Sequence, residues 1–217
     1  MSAVEIKICG ITSVEDALAA ADAGAAMLGL NFYERSPRCI SLERAQEIAT
    51  AVGGRAKLVG VFVNMNVSEV LRVARAVPLA AVQLHGSETP EECATVAAEY
   101  PVIRALKVDA AFSTARASEF AACAALLLDT ACEGHGGSGR SFDWGAVDWA
   151  GIRAAVPGAR LFLAGGLQAG NIAAAMSVAR PDVVDVCSGV EQEKGIKSVN
   201  CMREFVAAVR AAEGQEQ

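Results

Sequence analysis

Four residues that can do chemistry stand far apart in the chain, each at or just past the end of a short apolar run: Cys9, Arg38, His85 and Asp129. A thiolate is a competent base or nucleophile, and a nearby cation lowers its pKa. Cys9 closes the segment "VEIKICGIT", two positions after Lys7. In an extended strand that spacing puts both side chains on one face, so Lys7 can supply the cation. Asp129 closes "ALLLDT" and precedes the glycine-rich stretch "ACEGHGGSGRSFDW". A carboxyl there suits a general acid or base under a mobile cover. Arg38, in "NFYERSPRCIS", offers a planar fork that binds a carboxylate bidentately. His85, in "VQLHGSE", is a weaker candidate, because a lone histidine is more often structural. Each has a blander reading. Free cysteines are among the most buried residues, aspartate commonly opens a loop, and arginine commonly sits on a surface turn.

Two further segments concern anion binding. "RLFLAGG" ends in Gly165 and Gly166, and "DVVDVCSGVE" leads through Ser188 to Gly189. Without bulky side chains, backbone N–H groups there can close on phosphate oxygens, helped by a short helix N-terminus. The alternative is two ordinary tight turns.

The elements that must carry these groups are legible from periodicity. Eight apolar runs fall near 4–9, 26–32, 57–63, 79–85, 102–108, 125–130, 160–166 and 182–188. Helical patterns lie between them. Ser13, Ser41 and Thr89 are N-caps, Pro90 sits at a first helical position, and Gly24 is a stop. The fifth helix, near 113–122, is short; the sixth is expected near 144–155 and the seventh near 170–178. Eight strand–helix units with near-continuous apolar strands predict an α/β fold, a single-domain (β/α)8 TIM barrel spanning 1–217 with a closed parallel eight-stranded sheet. An open doubly wound sheet would use fewer strands and carry a Gly-rich turn after the first, where this chain has "CGIT". In a barrel the face holding Lys7 and Cys9 points inward, and Val4, Ile6 and Ile8 face the helices. A buried lysine needs a partner. The eighth strand closes against the first and carries Asp185, so a Lys7–Asp185 ion pair is expected inside the barrel. Active sites of this fold sit at the C-terminal rim, with phosphate held after strands seven and eight.

Composition sets the boundaries. The chain has 217 residues, 53% hydrophobic and 20% charged, with net charge −6. It carries no dense Lys/Arg stripe, which argues against nucleic acid as a partner. No apolar run approaches the roughly 20 residues needed to cross a bilayer, and no secretory signal is evident. Seven cysteines without metal-type spacing make a disulfide framework improbable and a reducing cytoplasm the simplest setting. Nothing in the spacing suggests a metal or a cofactor. The expected partner is a small phosphorylated molecule, and the chain is expected to be a monomer or homodimer.

The motifs "KICGIT", "NFY" with "SPR", "GVFVN", "VQLHG", "LDT" with "GGSGRSFDW", "LAGGL" followed by Asn171, and "VDVCSGVE" with "KGIKS" resemble, in order and over almost the whole chain, the phosphoribosylanthranilate isomerases of tryptophan biosynthesis. One departure is Ser198, where the familiar pattern has aspartate; as a helix cap, serine serves as well. The resemblance implies an Amadori rearrangement of an aminoaldose 5-phosphate, with Asp129 as general acid, Cys9 as general base and no cofactor. The neighbouring double-phosphate isomerase of histidine synthesis uses paired aspartates, and Cys9 in place of a first-strand aspartate argues against it. A catalytically silent ligand-binding barrel is the reading from another class.

Overall fold

The alternation read from the first strand sets the architecture. In a computed structural model, which describes residues 3–109, 112–130 and 144–214, Ile6 and Ile8 are fully buried among helix residues such as Ala17 and Ala20, while Lys7 points the other way. The same split runs round a closed parallel barrel of eight strands in chain order. These are β1 (Glu5–Cys9), β2 (Met27–Asn31), β3 (Lys57–Phe62), β4 (Ala81–Leu84), β5 (Val102–Val108), β6 (Ala125–Thr130), β7 (Arg160–Leu163) and β8 (Val183–Val186). Register fixes the layers: Lys7 lies level with Met27 and Asp185, and Cys9 level with Gly29.

Two apolar cores result. The larger lies between sheet and helices. The smaller fills the barrel with Met27, Val59, Ile103, Leu127, Phe162 and Val183, among others. That plug closes the lower barrel, so chemistry is confined to the upper rim.

The covering helices are α1 (Val14–Ala23), α2 (Leu42–Val52), α3 (Val67–Ala76), α4 (Pro90–Ala97), α5 (Thr114–Ser118), α6 (Trp149–Ala155), α7 (Ile172–Ala179) and α8 (Val199–Gly214). Their ends follow the expected chemistry. Ser13, Ser41 and Thr89 accept from backbone N–H groups in the first turn, and Thr89 with Glu92 completes a capping box. Gly24 stops α1 at φ +106°. Ser198 Oγ accepts from Cys201 N at 3.3 Å, so serine does cap α8. The sixth helix is shorter than expected. A 3-10 turn at Trp144–Ala146 comes first, and Asp148 starts α6 by accepting from Gly151 N.

One element lay outside the sequence reading. After β8 a 3-10 turn (Ser188–Val190) leads into a small antiparallel hairpin, β9 (Glu191–Glu193) and β10 (Ile196–Lys197).

Candidate active site

A single cavity at the C-terminal rim brings together Cys9, Arg38, His85, Asp129, Asp185 and the Gly165–Gly166 turn. They converge because each occupies an inward position of its strand or the loop leaving it. β1 pairs with β2 and β8, and β6 with β5 and β7. Cys9 and Asp129 therefore stand on opposing walls.

Below Cys9, Lys7 is fully buried and donates to Asp185 Oδ1 at 2.9 Å. Burial works against the ammonium, but Asp185 and Cys9 together hold it above the ordinary lysine range. Burial pushes the Asp185 carboxyl up to about 7 against the pull of Lys7, with the charges of Cys9 and Asp129 adding to the push. Lys7 stays an ammonium, and its 2.9 Å contact becomes a full ion pair once Asp185 ionises. Cys9 itself is drawn well below the ordinary thiol value. A hydrogen bond from Cys187 is the main cause, opposed by burial and aided by Lys7 and Lys197. Glycines make the room. A Cβ at Gly29 would come within 2.7 Å of Cys9 Sγ. Gly10 turns the chain off the rim at φ +73°, and a Cβ there would meet Arg38 Cδ at 2.5 Å.

The loop after β2 is locked by its own polar atoms. Asn31 Oδ1 accepts from Tyr33 N, Asn31 Nδ2 donates to Ser36 Oγ, and Ser36 Oγ accepts from Arg38 N. This aims Arg38 at the cavity, but one edge of its fork is occupied. Its Nε and Nη2 donate to the two oxygens of Glu191 at 2.7 Å each, and Glu191 holds the guanidinium above its ordinary value. Glu191 also accepts from Lys197 Nζ at 3.0 Å. Burial opposes its ionisation, yet the two cations keep the carboxyl below its ordinary value. A carboxylate ligand would meet the remaining edge of Arg38, with the exposed Arg35 also lining the cavity.

Across the barrel, His85 Nε2 lies 3.2 Å from Asp129 Oδ2. Its Nδ1 lies 2.9 Å from the amide nitrogen of the fully buried Gln83. If that amide donates, the ring proton sits on Nε2, facing Asp129. The turn after His85 is pinned from behind. Buried Arg104 donates to Glu88, Leu84 O and Gly86 O, and Glu88 accepts from Asn64 N and Gly86 N. The glycine-rich stretch expected to cover Asp129 lies outside the described residues.

Gly165 and Gly166 adopt φ +89° and +64°, consecutive left-handed residues whose N–H groups can form an anion-binding concavity. Asn171 braces the turn, donating to Gly166 O and accepting from Gln168 N. Ser188 begins the 3-10 turn and lines the cavity with them. Gly189 stands behind: a Cβ there would fall 2.0 Å from Leu167 O, so it is where the loops after β7 and β8 touch.

Gln83, Cys187, Glu191 and Lys197 are among the residues of this site that lay outside the sequence reading. Cys187 had a signal, since it shares the inward parity of Asp185 in "DVCS". Lys197, fully buried at its side chain, had none before the hairpin folded it inward.

Residues 6–208 match the family model described as N-(5'phosphoribosyl)anthranilate (PRA) isomerase. An N-(5'-phosphoribosyl)anthranilate isomerase from Pseudomonas paraeruginosa is 46% identical over 213 residues, 97% of each chain. Among solved structures, a phosphoribosyl anthranilate isomerase from Thermotoga maritima is 39% identical with TM-score 0.88, covering 96% of this chain and 99% of that one. A structure of phosphoribosyl anthranilate isomerase in complex with reduced 1-(o-carboxyphenylamino)-1-deoxyribulose 5-phosphate has TM-score 0.85 at 38% identity over the same shares. With nearly the full barrel matched and the motif residues gathered at one rim, the chain belongs to the N-(5'-phosphoribosyl)anthranilate isomerase family.

Proposed function

We propose that this chain catalyses the Amadori rearrangement of N-(5-phosphoribosyl)anthranilate to 1-(2-carboxyphenylamino)-1-deoxyribulose 5-phosphate, in tryptophan biosynthesis. The observation that carries the reading is the placement of a lowered-pKa thiol and a carboxyl on opposing walls of one cavity, between a glycine cradle and an arginine. The reaction needs an acid at the ring oxygen and a base at C2. Asp129 protonates the furanose oxygen, and the C1–O bond breaks to leave an open-chain protonated Schiff base. The Cys9 thiolate removes the C2 proton, and the electron pair of that C–H bond moves toward the iminium nitrogen. The resulting enolamine tautomerises to the ketone. The iminium is itself the electron sink, so the step calls on no cofactor. The phosphate sits on Gly165, Gly166 and Ser188, with Gly189 holding the two loops together, and the free edge of Arg38 faces the anthranilate carboxylate.

Incubation with freshly prepared phosphoribosylanthranilate should abolish the substrate's fluorescence at a rate proportional to enzyme; no turnover would sink the proposal. Cys9→Ala and Asp129→Asn should each lower kcat by ~10²–10⁴, the usual worth of a positioned base or acid. Near-normal kcat in either variant, with chemistry rate-limiting, would remove that residue from its role. Arg38→Met should weaken a product analogue bearing the carboxylate by roughly 1.5–3 kcal/mol and barely affect one lacking it. Equal losses for both analogues would show that Arg38 holds the site together rather than the ligand.

A further inference from the structure

The carboxylate seated against Arg38 comes from the hairpin after β8, an element that the acid–base chemistry does not call on. Glu191 opens β9, and its side chain is only 5% exposed. Its Oε1 accepts from Arg38 Nε at 2.7 Å, Lys197 Nζ at 3.0 Å and Gly195 N at 3.3 Å, and more weakly from Cys187 Sγ at 3.9 Å. Its Oε2 accepts from Arg38 Nη2 at 2.7 Å. The hairpin is anchored from its other side. Thr12 Oγ1 donates to Gly195 O at 2.6 Å, and Lys197 N donates to Asp16 Oδ2 at 3.1 Å. Gly195, at φ +85°, passes so close to the loop after β2 that a Cβ would lie 3.1 Å from Pro37 O. Glu191 therefore stands on a fixed element, and Arg38 is fitted to it.

We propose that Glu191 is a positioning residue and a determinant of specificity: by taking the Nε–Nη2 edge of Arg38, it turns the remaining edge, Nη1 with Nη2, onto the cavity as a two-pronged seat for the ligand's carboxylate. The inference rests on the reading of Arg38 as the residue that holds that carboxylate. A guanidinium carries five N–H donors in one rigid plane. Glu191 takes two of them, one on Nε and one on Nη2. Nη1 makes no hydrogen bond among the described residues, and Arg38 lines the cavity. In a planar fork, fixing one edge at two points fixes the direction of the other. The stem is held as well, since Gly10 leaves only enough room for Arg38 Cδ. Charge favours the same outcome. Lys197 is buried and shares Oε1, so these three groups set two cations against one carboxylate, and attraction for an anion survives the internal pairing.

The two oxygens of Glu191 carry different loads, and the test uses the difference. Glu191→Gln can keep its carbonyl where Oε1 stood, with the hairpin contacts, and then sets an NH2 group against the Nη2 donor. Glu191→Asp keeps the charge but draws it back from the fork. Wild type, both variants and Arg38→Met are titrated calorimetrically with two product analogues reduced at the ketone, one 2-carboxyphenylamino and one plain phenylamino. Inhibition by inorganic phosphate is measured alongside. Both Glu191 variants should bind the carboxylated analogue about tenfold more weakly, the scale of one hydrogen bond to a charged group. The plain analogue and phosphate should stay within about twofold of wild type. KM for phosphoribosylanthranilate should rise with the first figure while kcat moves far less, as befits a contact made equally before and in the transition state. A Glu191 that only offsets charge would give tighter anion binding in Glu191→Gln, where a negative charge is gone, and an unaltered Glu191→Asp. A Glu191 that only props the hairpin would weaken all three ligands alike. Either pattern overturns the proposal, and if Glu191→Gln does not fold, Glu191→Asp decides alone. If Arg38→Met discriminates between the analogues as wild type does, the reading of Arg38 falls and takes this proposal with it. If Arg38→Met loses that discrimination while the Glu191 variants keep it, Arg38 stands and the role of Glu191 is refuted.

Discussion

Lys7 is the residue whose environment makes the strongest demand. A fully buried ammonium is tolerated because Asp185 meets it at 2.9 Å, and breaking such a pair from one side costs more than removing it whole. Lys7→Met should destabilise by about 3–5 kcal/mol, and adding Asp185→Asn should recover part of that loss. The sign with pH is definite. Burial has already pushed Asp185 up to about 7, so the folded state holds this proton more tightly than the unfolded chain, and stability falls as pH rises from the ordinary carboxylate range to that value. Without Lys7 the carboxyl rises further and the deficit extends to higher pH. Cys9, lowered partly by Lys7, acts in the same sense, since a lowered thiol contributes stability that is lost as pH falls. Urea unfolding should therefore show a larger cost of Lys7→Met at pH 8 than at pH 5; an equal or smaller cost at pH 8 would mean that Asp185 never carries the stranded charge. The pair was legible in the sequence because strand parity and barrel closure together leave Lys7 one neighbour of opposite sign. Cys187 carried no more than the parity signal, because serine, cysteine or alanine would satisfy the same pattern.

Loops, rather than strands, decide what the rim can hold. The turns after β7 and β8 meet at Gly189, where an added methyl group would collide with the Leu167 carbonyl, a backbone atom that cannot swing away. Gly189→Ala should part the two loops and raise the inhibition constant of inorganic phosphate by at least about tenfold, a difference of roughly 1.4 kcal/mol. Gly170→Ala, where a Cβ meets open space, should leave it unchanged; an unaltered constant in Gly189→Ala would separate phosphate binding from this contact. Capping chemistry made several helix starts readable, since Ser13, Ser41 and Thr89 behave as their side chains dictate. The β9–β10 hairpin was not readable. Its strands are too short to carry a period, and its fixed points are the distant contacts of Glu191 with Arg38 and of Lys197 N with Asp16. The expectation of Arg38 as a free fork missed Glu191 for the same reason, as 153 positions separate the two.

At the scale of the molecule, the closed barrel followed from counting eight apolar runs. Its rim followed from parity, since inward positions put Cys9, His85 and Asp129 on one cavity. Closure also has a consequence in time. Lys7 and Asp185 meet across 178 positions of chain, and at synthesis rates of roughly 5–20 residues per second the second follows the first by something on the order of ten to thirty seconds. Over that interval the inward face of β1 lacks the carboxylate that meets its cation in the folded barrel. Cys9 is in the same position: the thiol proposed as the base is flanked by neither Cys187 nor Lys197 until the last strand and hairpin dock. A nascent chain therefore carries Cys9 without Cys187 and Lys197, and these two neighbours arrive in the same event that seals the barrel.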